Sequence, residues 1–362
     1  MEKRVDACRG CLLGLAVGDA MGHTVDGKDW QEIQEDYGPN GLLGYDLANG
    51  QAAASAYTQV VAFVSNGLLM GVTRGKPELY LRYINLSLRE WARAQYFPRD
   101  PEKSYCWVAK IPQMRVRACK DSRMLDALRI DTPGTMDRPT NRASTPGGLP
   151  GAVAVGLACD GRALSRENAM LLGAQCVALT HGNVETFLCG GVVAAVIASV
   201  AQDTSKPLKA HFEEAITQLT EYFGTQYPQA QELADSLRRS IHCAEALARE
   251  PREVMEKYCC DTAAQCLSAA MYASLVCQED FDSAMILAVN HSGRSAAVGA
   301  LVGAVLGTQM GAQALPEFYL ECLEPAPVLE ELATDLALGS PTAGLFDDDW
   351  DQKYVQGLPL RP

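Results

Sequence analysis

The sequence is short of basic residues relative to acidic ones, and it contains only five histidines. Its 362 residues include 31 Lys and Arg against 44 Asp and Glu, giving a formal net charge of −13. This balance argues against a nucleic-acid partner, because neutralising phosphates requires clustered Lys and Arg. None of the histidines has the spaced partner expected of a zinc site. A single basic pocket for a phosphorylated small molecule is compatible with this composition.

Long apolar runs are also missing. The longest, residues 189–201 and 296–307, are shorter than the roughly 20 residues that span a bilayer, so we expect no membrane partner. The first residues carry charges rather than an apolar leader, and the thirteen cysteines are odd in number, which does not suggest a disulfide framework. Cys8 and Cys11 have the spacing of a metal or redox pair, but their helical pattern favours buried packing. We therefore expect a reduced, cytoplasmic protein.

Alternating strand patterns are absent, whereas helical periodicity dominates. Residues 207–223 and 229–250 each place apolar side chains on one helical face. Prolines and loop clusters such as residues 131–141 separate the helical segments. No unit repeats with a fixed period, which argues against a solenoid. These patterns predict an all-α fold with more than ten helices, arranged as a single domain over residues 1–362.

Two stripes of glycine at four-residue spacing indicate unusually close helix packing. Glycine in a helix interior costs about 1 kcal/mol relative to alanine, so each stripe needs a compensating reason. Close contact between central helices supplies that reason, but it does not explain the polar residues at the ends of the stripes. The stripes consist of Gly10, Gly14, Gly18 and Gly22, and of Gly299, Gly303, Gly307 and Gly311.

Five polar or glycine-rich segments follow one another in a characteristic order. They are residues 9–22 (RGCLLGLAVGDAMG), 45–69, 138–157, 178–195 and 288–307 (AVNHSGRSAAVGALVGAVLG). Their order and spacing resemble the motifs of the ADP-ribosylglycohydrolases, which are all-helical hydrolases with two magnesium ions at the centre. The resemblance covers most of the chain and implies an orthogonal multi-helix bundle.

The resemblance fails at the residues that bind the metals in this family. Magnesium prefers hard oxygen ligands, mainly carboxylates, in an octahedron. Most of the carboxylate and hydroxyl positions hold other residues here, and one of them holds an arginine. We therefore expect no metal site and no magnesium cofactor. The substituted positions are Ser55, Ala56, Tyr57, Ser292, Arg294, Ala296 and Ala297.

Other positions matched by the resemblance imply a ligand-binding cleft. Asp26 occupies the position at which members of the family often have a glutamate proposed to act in acid–base chemistry, and the resemblance therefore makes Asp26 the candidate catalytic residue. The alternative for Asp26 is a turn carboxylate, since Asp-Gly is a common turn dipeptide. The alternatives for the histidines and Asn290 are helix caps. The implied cleft comprises Asp19, Tyr57, Thr58, Gln59, Gly147, Gly148, His181, Asn290, His291, Ser292, Gly293, Arg294 and Ser295.

Arg294 replaces a metal-binding aspartate at the start of a glycine-striped helix. We expect it to take the electrostatic place of a lost metal ion and to pair with Asp19, Asp26, Asp46 or a bound anion. A buried arginine needs such a partner because it stays charged. The alternative is an exposed arginine, slightly unfavourable to the helix dipole.

Three functions are compatible with these residues. The leading hypothesis is a metal-free, catalytically degenerate family member that binds an ADP-ribose-like or other anionic small molecule. The second is a metal-independent glycosidase that uses Asp26 or Asp46 as acid or base on an ADP-ribosyl or related bond. The third is a structural or protein-interaction role, with the cleft closed by Tyr57 and Arg294. The sequence names no protein partner.

Overall fold

The structure is a computed structural model that describes residues 1–97, 100–159, 164–246, 250–341 and 347–356. Within these ranges the backbone forms seventeen α-helices, and β-type pairing is limited to two isolated bridges. The predicted all-α fold is therefore confirmed. The helices are α1 (Glu2–Val25), α2 (Trp30–Tyr37), α3 (Ala56–Thr73), α4 (Tyr80–Tyr96), α5 (Ser122–Arg129), α6 (Leu149–Ala158), α7 (Ala169–Ala178), α8 (Val184–Gln202), α9 (Leu208–Phe223), α10 (Gln229–Glu245), α11 (Pro251–Glu256), α12 (Ala263–Val276), α13 (Phe281–Val289), α14 (Ser295–Met310), α15 (Glu317–Glu321), α16 (Ala326–Leu338) and α17 (Asp348–Tyr354).

Proline marks the start of several helices. Pro207, Pro228 and Pro316 immediately precede α9, α10 and α15. Proline suits this place because it lacks an N–H group, and the first N–H groups of a helix have no partner within the helix. The apolar face predicted for α9 packs into the core, where Phe212 and Leu219 are buried.

The two glycine stripes face each other along α1 and α14. A Cβ atom at Gly14 would lie 2.2 Å from the carbonyl oxygen of Gly303, and one at Gly18 would lie 1.9 Å from that of Gly299. Atoms cannot approach this closely, so a side chain at either position would force the helices apart. The predicted close contact between central helices is confirmed.

This contact is antiparallel, so the carboxyl end of α1 meets the amino end of α14. A Cβ atom at Gly22 would lie 2.5 Å from the carbonyl oxygen of Ser295, in the first turn of α14. Helices α3 and α16 pack on α1, while α12 and α13 pack on α14. The central pair therefore fixes where the polar ends of the surrounding helices lie.

Helix α8 is longer than the apolar run that the sequence shows there. It contains the apolar run 189–201, but its 19 residues make it long and apolar enough to cross a membrane by length and composition. The run underestimates the helix because α8 already starts at Val184, capped by Asn183. However, 83% of its apolar window is buried inside the molecule, which is typical of a core helix.

The cysteines serve packing rather than cross-linking. None of the thirteen forms a disulfide bond, and Cys8 and Cys11 are buried on α1. Burial raises the pKa of the Cys11 thiol, and the neighbouring Thr308 hydroxyl only partly opposes this rise. The Cys11 thiol therefore remains protonated and packs as a small apolar group.

Gly303→Ala should lower the free energy of unfolding by about 1–3 kcal/mol, because the new methyl group overpacks the α1–α14 contact. The loss should appear although alanine is the better helix former by about 1 kcal/mol. Urea denaturation followed by circular dichroism measures the change. Gly44→Ala is the control, since a Cβ atom there meets no atom within 4 Å. Equal stability of the two variants would contradict the glycine contact.

Candidate functional site

A cavity of about 190 Å³ lies where α1 ends and where α3, α5 and α14 begin. Its walls come from His23 and Asp26, from residues 55–57, from the segment 118–124 and from the turn 145–147, and Arg294 completes them. The lining combines apolar side chains with five charged ones, Asp26, Lys120, Asp121, Arg123 and Arg294. These charged groups are available to recognise a polar ligand.

The predicted cleft residues divide into two groups. Asp26, Tyr57, Gly147 and Arg294 line the cavity, which Tyr57 and Arg294 do not fill. The others do not line it, and most of them make contacts that hold its walls. This second group comprises Asp19, Thr58, Gln59, Gly148, His181, Asn290, His291, Ser292, Gly293 and Ser295.

Asp19 is buried beneath the start of α3 and caps that helix. Its carboxylate accepts hydrogen bonds from the Ser55 N–H (2.9 Å), the Thr58 N–H (3.0 Å) and the Thr58 hydroxyl (2.7 Å). The Ser55 hydroxyl donates to its other oxygen. Burial raises the pKa of Asp19, and these hydrogen bonds oppose the rise. The carboxylate is thus engaged by the helix it caps.

Gln59 links α3 to α4 and to the segment that leads into the cavity wall. Its side-chain oxygen accepts from the Trp91 indole N–H (2.9 Å) and the Gln95 amide (3.2 Å). Its amide nitrogen donates to the carbonyls of Gln113 (3.2 Å) and Val116 (3.0 Å). Gln59 therefore positions backbone behind the cavity and does not face a ligand.

Asn290 ends α13 and holds the neighbouring loop. Its amide nitrogen donates to the carbonyls of Ile286 and Leu42, each at 2.8 Å, and its oxygen accepts from the Leu42 N–H at 2.8 Å. These bonds satisfy a carbonyl of the last helical turn, as a cap does. Asn290 therefore acts as a helix cap, which is the alternative that the sequence left open.

The loop after Asn290 is fixed by its own polar groups. The Ser295 hydroxyl donates to the His291 carbonyl (3.2 Å), and the Ser292 hydroxyl accepts from the Trp30 N–H (3.0 Å). Gly293 has a φ of 109°, a conformation that side chains rarely adopt. The loop therefore enters α14 along one path, which sets the position of Arg294.

Arg294 and Asp26 meet across the ends of α14 and α1. An Arg294 Nη1 to Asp26 Oδ2 distance of 3.8 Å makes Asp26 the partner among the three candidate aspartates. Asp26 Oδ1 also accepts from the Ala296 N–H (3.2 Å), whereas Asp46 accepts from the Tyr37 hydroxyl. Burial raises the pKa of Asp26, and the Ala296 hydrogen bond and the Arg294 charge oppose the rise.

Tyr57 presents a neutral phenol to the cavity. Burial raises its pKa well above the ordinary value, and the nearby Asp26 carboxylate raises it further. Tyr57 therefore gives this wall of the cavity an uncharged hydrogen-bonding group.

Asp121 was missed by the sequence reasoning, although it lines the cavity at the start of α5. Its Oδ1 accepts from the N–H groups of Arg123 (3.0 Å) and Met124 (3.2 Å), so it caps the helix. The Thr145 hydroxyl donates to its Oδ2, and His181 Nε2 lies 3.5 Å from the same oxygen. Burial raises the pKa of Asp121, but these hydrogen bonds outweigh it and hold the pKa below the ordinary value.

His181 lies behind this wall, fully buried. Its Nε2 is 3.1 Å from the Thr145 hydroxyl, and its Nδ1 is 2.8 Å from the Thr180 hydroxyl. A Cβ atom at Gly148 would lie 2.8 Å from the same Nδ1, so glycine lets the ring approach the turn 145–147. The helix that follows is capped by Asn183 rather than by His181. His181 therefore braces Asp121 and Thr145.

The cavity has three basic side chains, Lys120, Arg123 and Arg294. Arg294 pairs with Asp26, whereas no ion pair or side-chain hydrogen bond involves Lys120 or Arg123 within the part of the chain that the structure describes. The sequence reasoning missed both because the segment 118–124 belongs to none of the five motifs. Its Asp-Ser pair at 121–122 is a helix-start signal, but it gives no hint of the cavity.

In the described ranges, no group of three or more His, Cys, Asp or Glu side chains is placed to hold a metal ion. Three carboxylates contact or adjoin the substituted positions, and each of them accepts from a backbone N–H: Asp19 from Ser55, Asp26 from Ala296 and Glu256 from Ser292.

The comparisons with known proteins agree on the fold. A family model described as ADP-ribosylglycohydrolase matches residues 1–345. A solved structure described as an ADP-ribosylglycohydrolase-related protein complex is similar, with a TM-score of 0.60 and 20% sequence identity, over 93% of this chain and 99% of that chain. At this identity the likeness shows the fold alone, and it confirms the predicted fold class. No curated protein matches the chain.

Asp121→Asn should lower the free energy of unfolding at pH 7 by about 1–3 kcal/mol, because the hydrogen bonds to a charged acceptor are weakened. A lowered pKa in the folded state stabilises the protein above the ordinary aspartate value of about 3.9, and this contribution is lost as the pH falls further. The difference from wild type should therefore shrink below about pH 4. Denaturation at several pH values measures it, with the exposed Asp137→Asn as control. A pH-independent difference would contradict the role of Asp121.

Proposed function

The chain belongs to the ADP-ribosylglycohydrolase family, and we propose that it is a member that has lost the dinuclear magnesium site. In this proposal the protein is catalytically degenerate and binds an ADP-ribose-like or other anionic small molecule in the cavity. Fold alone does not give function once the residues of a site have changed, and the residues of the cavity determine what it can bind.

The residues present do not fit two magnesium ions. Such ions need several oxygen ligands in near-octahedral geometry. Ser55 has its hydroxyl on Asp19, and Ser292 accepts from a backbone N–H. Asp19 and Asp26 accept backbone N–H groups, and Arg294 brings a positive charge to a former ligand position. We therefore assign no step to magnesium.

The positively charged side chains of the cavity are the main observation that supports an anionic ligand. Lys120, Arg123 and Arg294 line the cavity in a protein whose net charge is −13. These three cations exceed the two acidic residues of the lining, because Arg294 pairs with Asp26 and only Asp121, which accepts from the start of α5 and from Thr145, faces Lys120 and Arg123. A basic cavity in an acidic protein favours an anionic ligand. The cavity attracts anions, whereas the rest of the negatively charged surface repels them.

Asp26 favours a second candidate function, metal-independent hydrolysis of a glycosidic bond. It lines the cavity, and burial raises its pKa, as a general acid near neutral pH requires. Its contacts with Ala296 and Arg294 favour the ionised form, which weakens this role. We rank this function second for that reason.

The purified protein should bind ADP-ribose with the same affinity in EDTA as in magnesium, because no ligand group is held through a metal. Isothermal titration calorimetry measures the dissociation constant in both buffers. Binding that requires magnesium, or no binding in either buffer, would contradict the proposed function.

Hydrolysis of an ADP-ribosylated peptide in the same two buffers separates the two candidates. The leading proposal predicts no turnover above the uncatalysed rate, since the metals that polarise the family site are worth several kcal/mol. Turnover that persists in EDTA, disappears in Asp26→Asn and survives in Asp137→Asn would establish the metal-independent glycosidase instead. Asp137 is exposed and lies outside the cavity lining, so it controls for the loss of one negative charge.

A further inference from the structure

We propose that residues 118–123 form a phosphate-binding wall, in which Lys120 and Arg123 hold the phosphate or diphosphate group of the ligand. The inference rests on the proposed function and names the part of the ligand that this cavity selects. A phosphorylated ligand binds here by its charge, and the same ligand without phosphate does not.

Two of the three Lys and Arg side chains in the cavity have no partner within the protein in the described ranges. Arg294 has Asp26 as its partner at 3.8 Å. In the described ranges no salt bridge or side-chain hydrogen bond engages Lys120 or Arg123, so their donors are free to meet a ligand. Burial raises the pKa of Asp26, and the nearby positive charge of Lys120 opposes this rise. The free cationic groups of the cavity therefore lie on one wall.

Phosphate chemistry fits these two side chains. A guanidinium presents a planar set of N–H donors that matches two phosphate oxygens, and an ammonium acts as a compact point charge. The N–H groups of Arg123 and Met124 are already used by Asp121. The start of α5 therefore supplies the side chains, while its backbone donors stay within the protein.

The beginning of the wall is held in place by Gln95, a buried residue of α4. Its side-chain oxygen accepts from the N–H groups of Ala118 (2.9 Å) and Cys119 (3.1 Å). Its amide nitrogen donates to the Val116 carbonyl (3.3 Å) and to Gln59 (3.2 Å). Gln59, predicted as a cleft residue, thus acts on the cavity through Gln95.

The other side of Lys120 is held by Asp121. The Asp121 carboxylate is anchored to α5 and to Thr145, and His181 braces both from behind. Lys120 lies between these two fixed points, and Arg123 lies in the first turn of α5. A backbone that is ordered before binding loses less conformational entropy when the ligand arrives. Lys120 and Arg123 are exposed side chains of the cavity lining, and the backbone on either side of them is fixed by these contacts.

Single variants test the wall with calorimetry, using ADP-ribose, inorganic pyrophosphate and ribose as probes. Lys120→Gln and Arg123→Gln should each weaken ADP-ribose binding about tenfold or more, because each loses a hydrogen-bonded charge pair. Pyrophosphate should bind the wild-type protein and fail to bind either variant, whereas ribose should bind neither protein measurably. Thermal melts of all proteins show whether the variants remain folded.

Lys76→Gln and Arg239→Gln are matched controls that remove the same charge from exposed positions outside the cavity. They should bind ADP-ribose like the wild type. If the wild type binds ADP-ribose and the wall variants match these controls, the phosphate wall is wrong and the proposed function stands. If the folded wild type binds none of the probes, the proposed function fails as well.

Discussion

The side-chain-free contact between α1 and α14 determines the geometry of the whole site. Along this contact, glycine carbonyls of one helix lie where the Cβ atoms of the other would be. No larger residue permits this separation, so the antiparallel pairing and its register are fixed together. The register brings Asp26, just beyond α1, to the first turn of α14, where its carboxylate accepts from the Ala296 N–H. The meeting of Asp26 and Arg294 is a consequence of packing.

The aspartates around the cavity share one physical role. Asp19 caps α3, Asp121 caps α5, and Asp26 accepts from the first turn of α14. A negative charge at a helix start is favourable, because the unpaired N–H groups there carry partial positive charge. Carboxylates used in this way are poor candidates for metal ligands, and the basic residues beside them leave the cavity suited to an anion. The proposed loss of the metal site and the basic lining are thus consistent with each other.

Much of the fold could be predicted from the sequence because its signals are local. Proline at helix starts, apolar periodicity and four-residue glycine spacing each describe one segment, and the helices follow from them. The position of Arg294 beside a carboxylate also followed from one motif. The apolar run 189–201 is shorter than α8, because the helix begins before the run at Val184.

The phosphate wall could not be predicted because its contacts are not local. Gln95 reaches the backbone of residues 118–119 from another helix, and His181 reaches Asp121 across 60 positions of sequence. Neither pairing leaves a pattern in one segment. Residues such as Gln59 and Asn290 were recognised as part of a site, but their side chains hold backbone instead.

Crystals grown with ADP-ribose and manganese test the central claim most directly, since manganese scatters anomalously and has the ligand preferences of magnesium. We predict ADP-ribose in the cavity with its diphosphate within hydrogen-bond distance of Lys120 and Arg123, and no manganese near Asp19, Asp26 or Arg294. An anomalous peak between residues 55–58 and 292–297 would contradict the loss of the metal site.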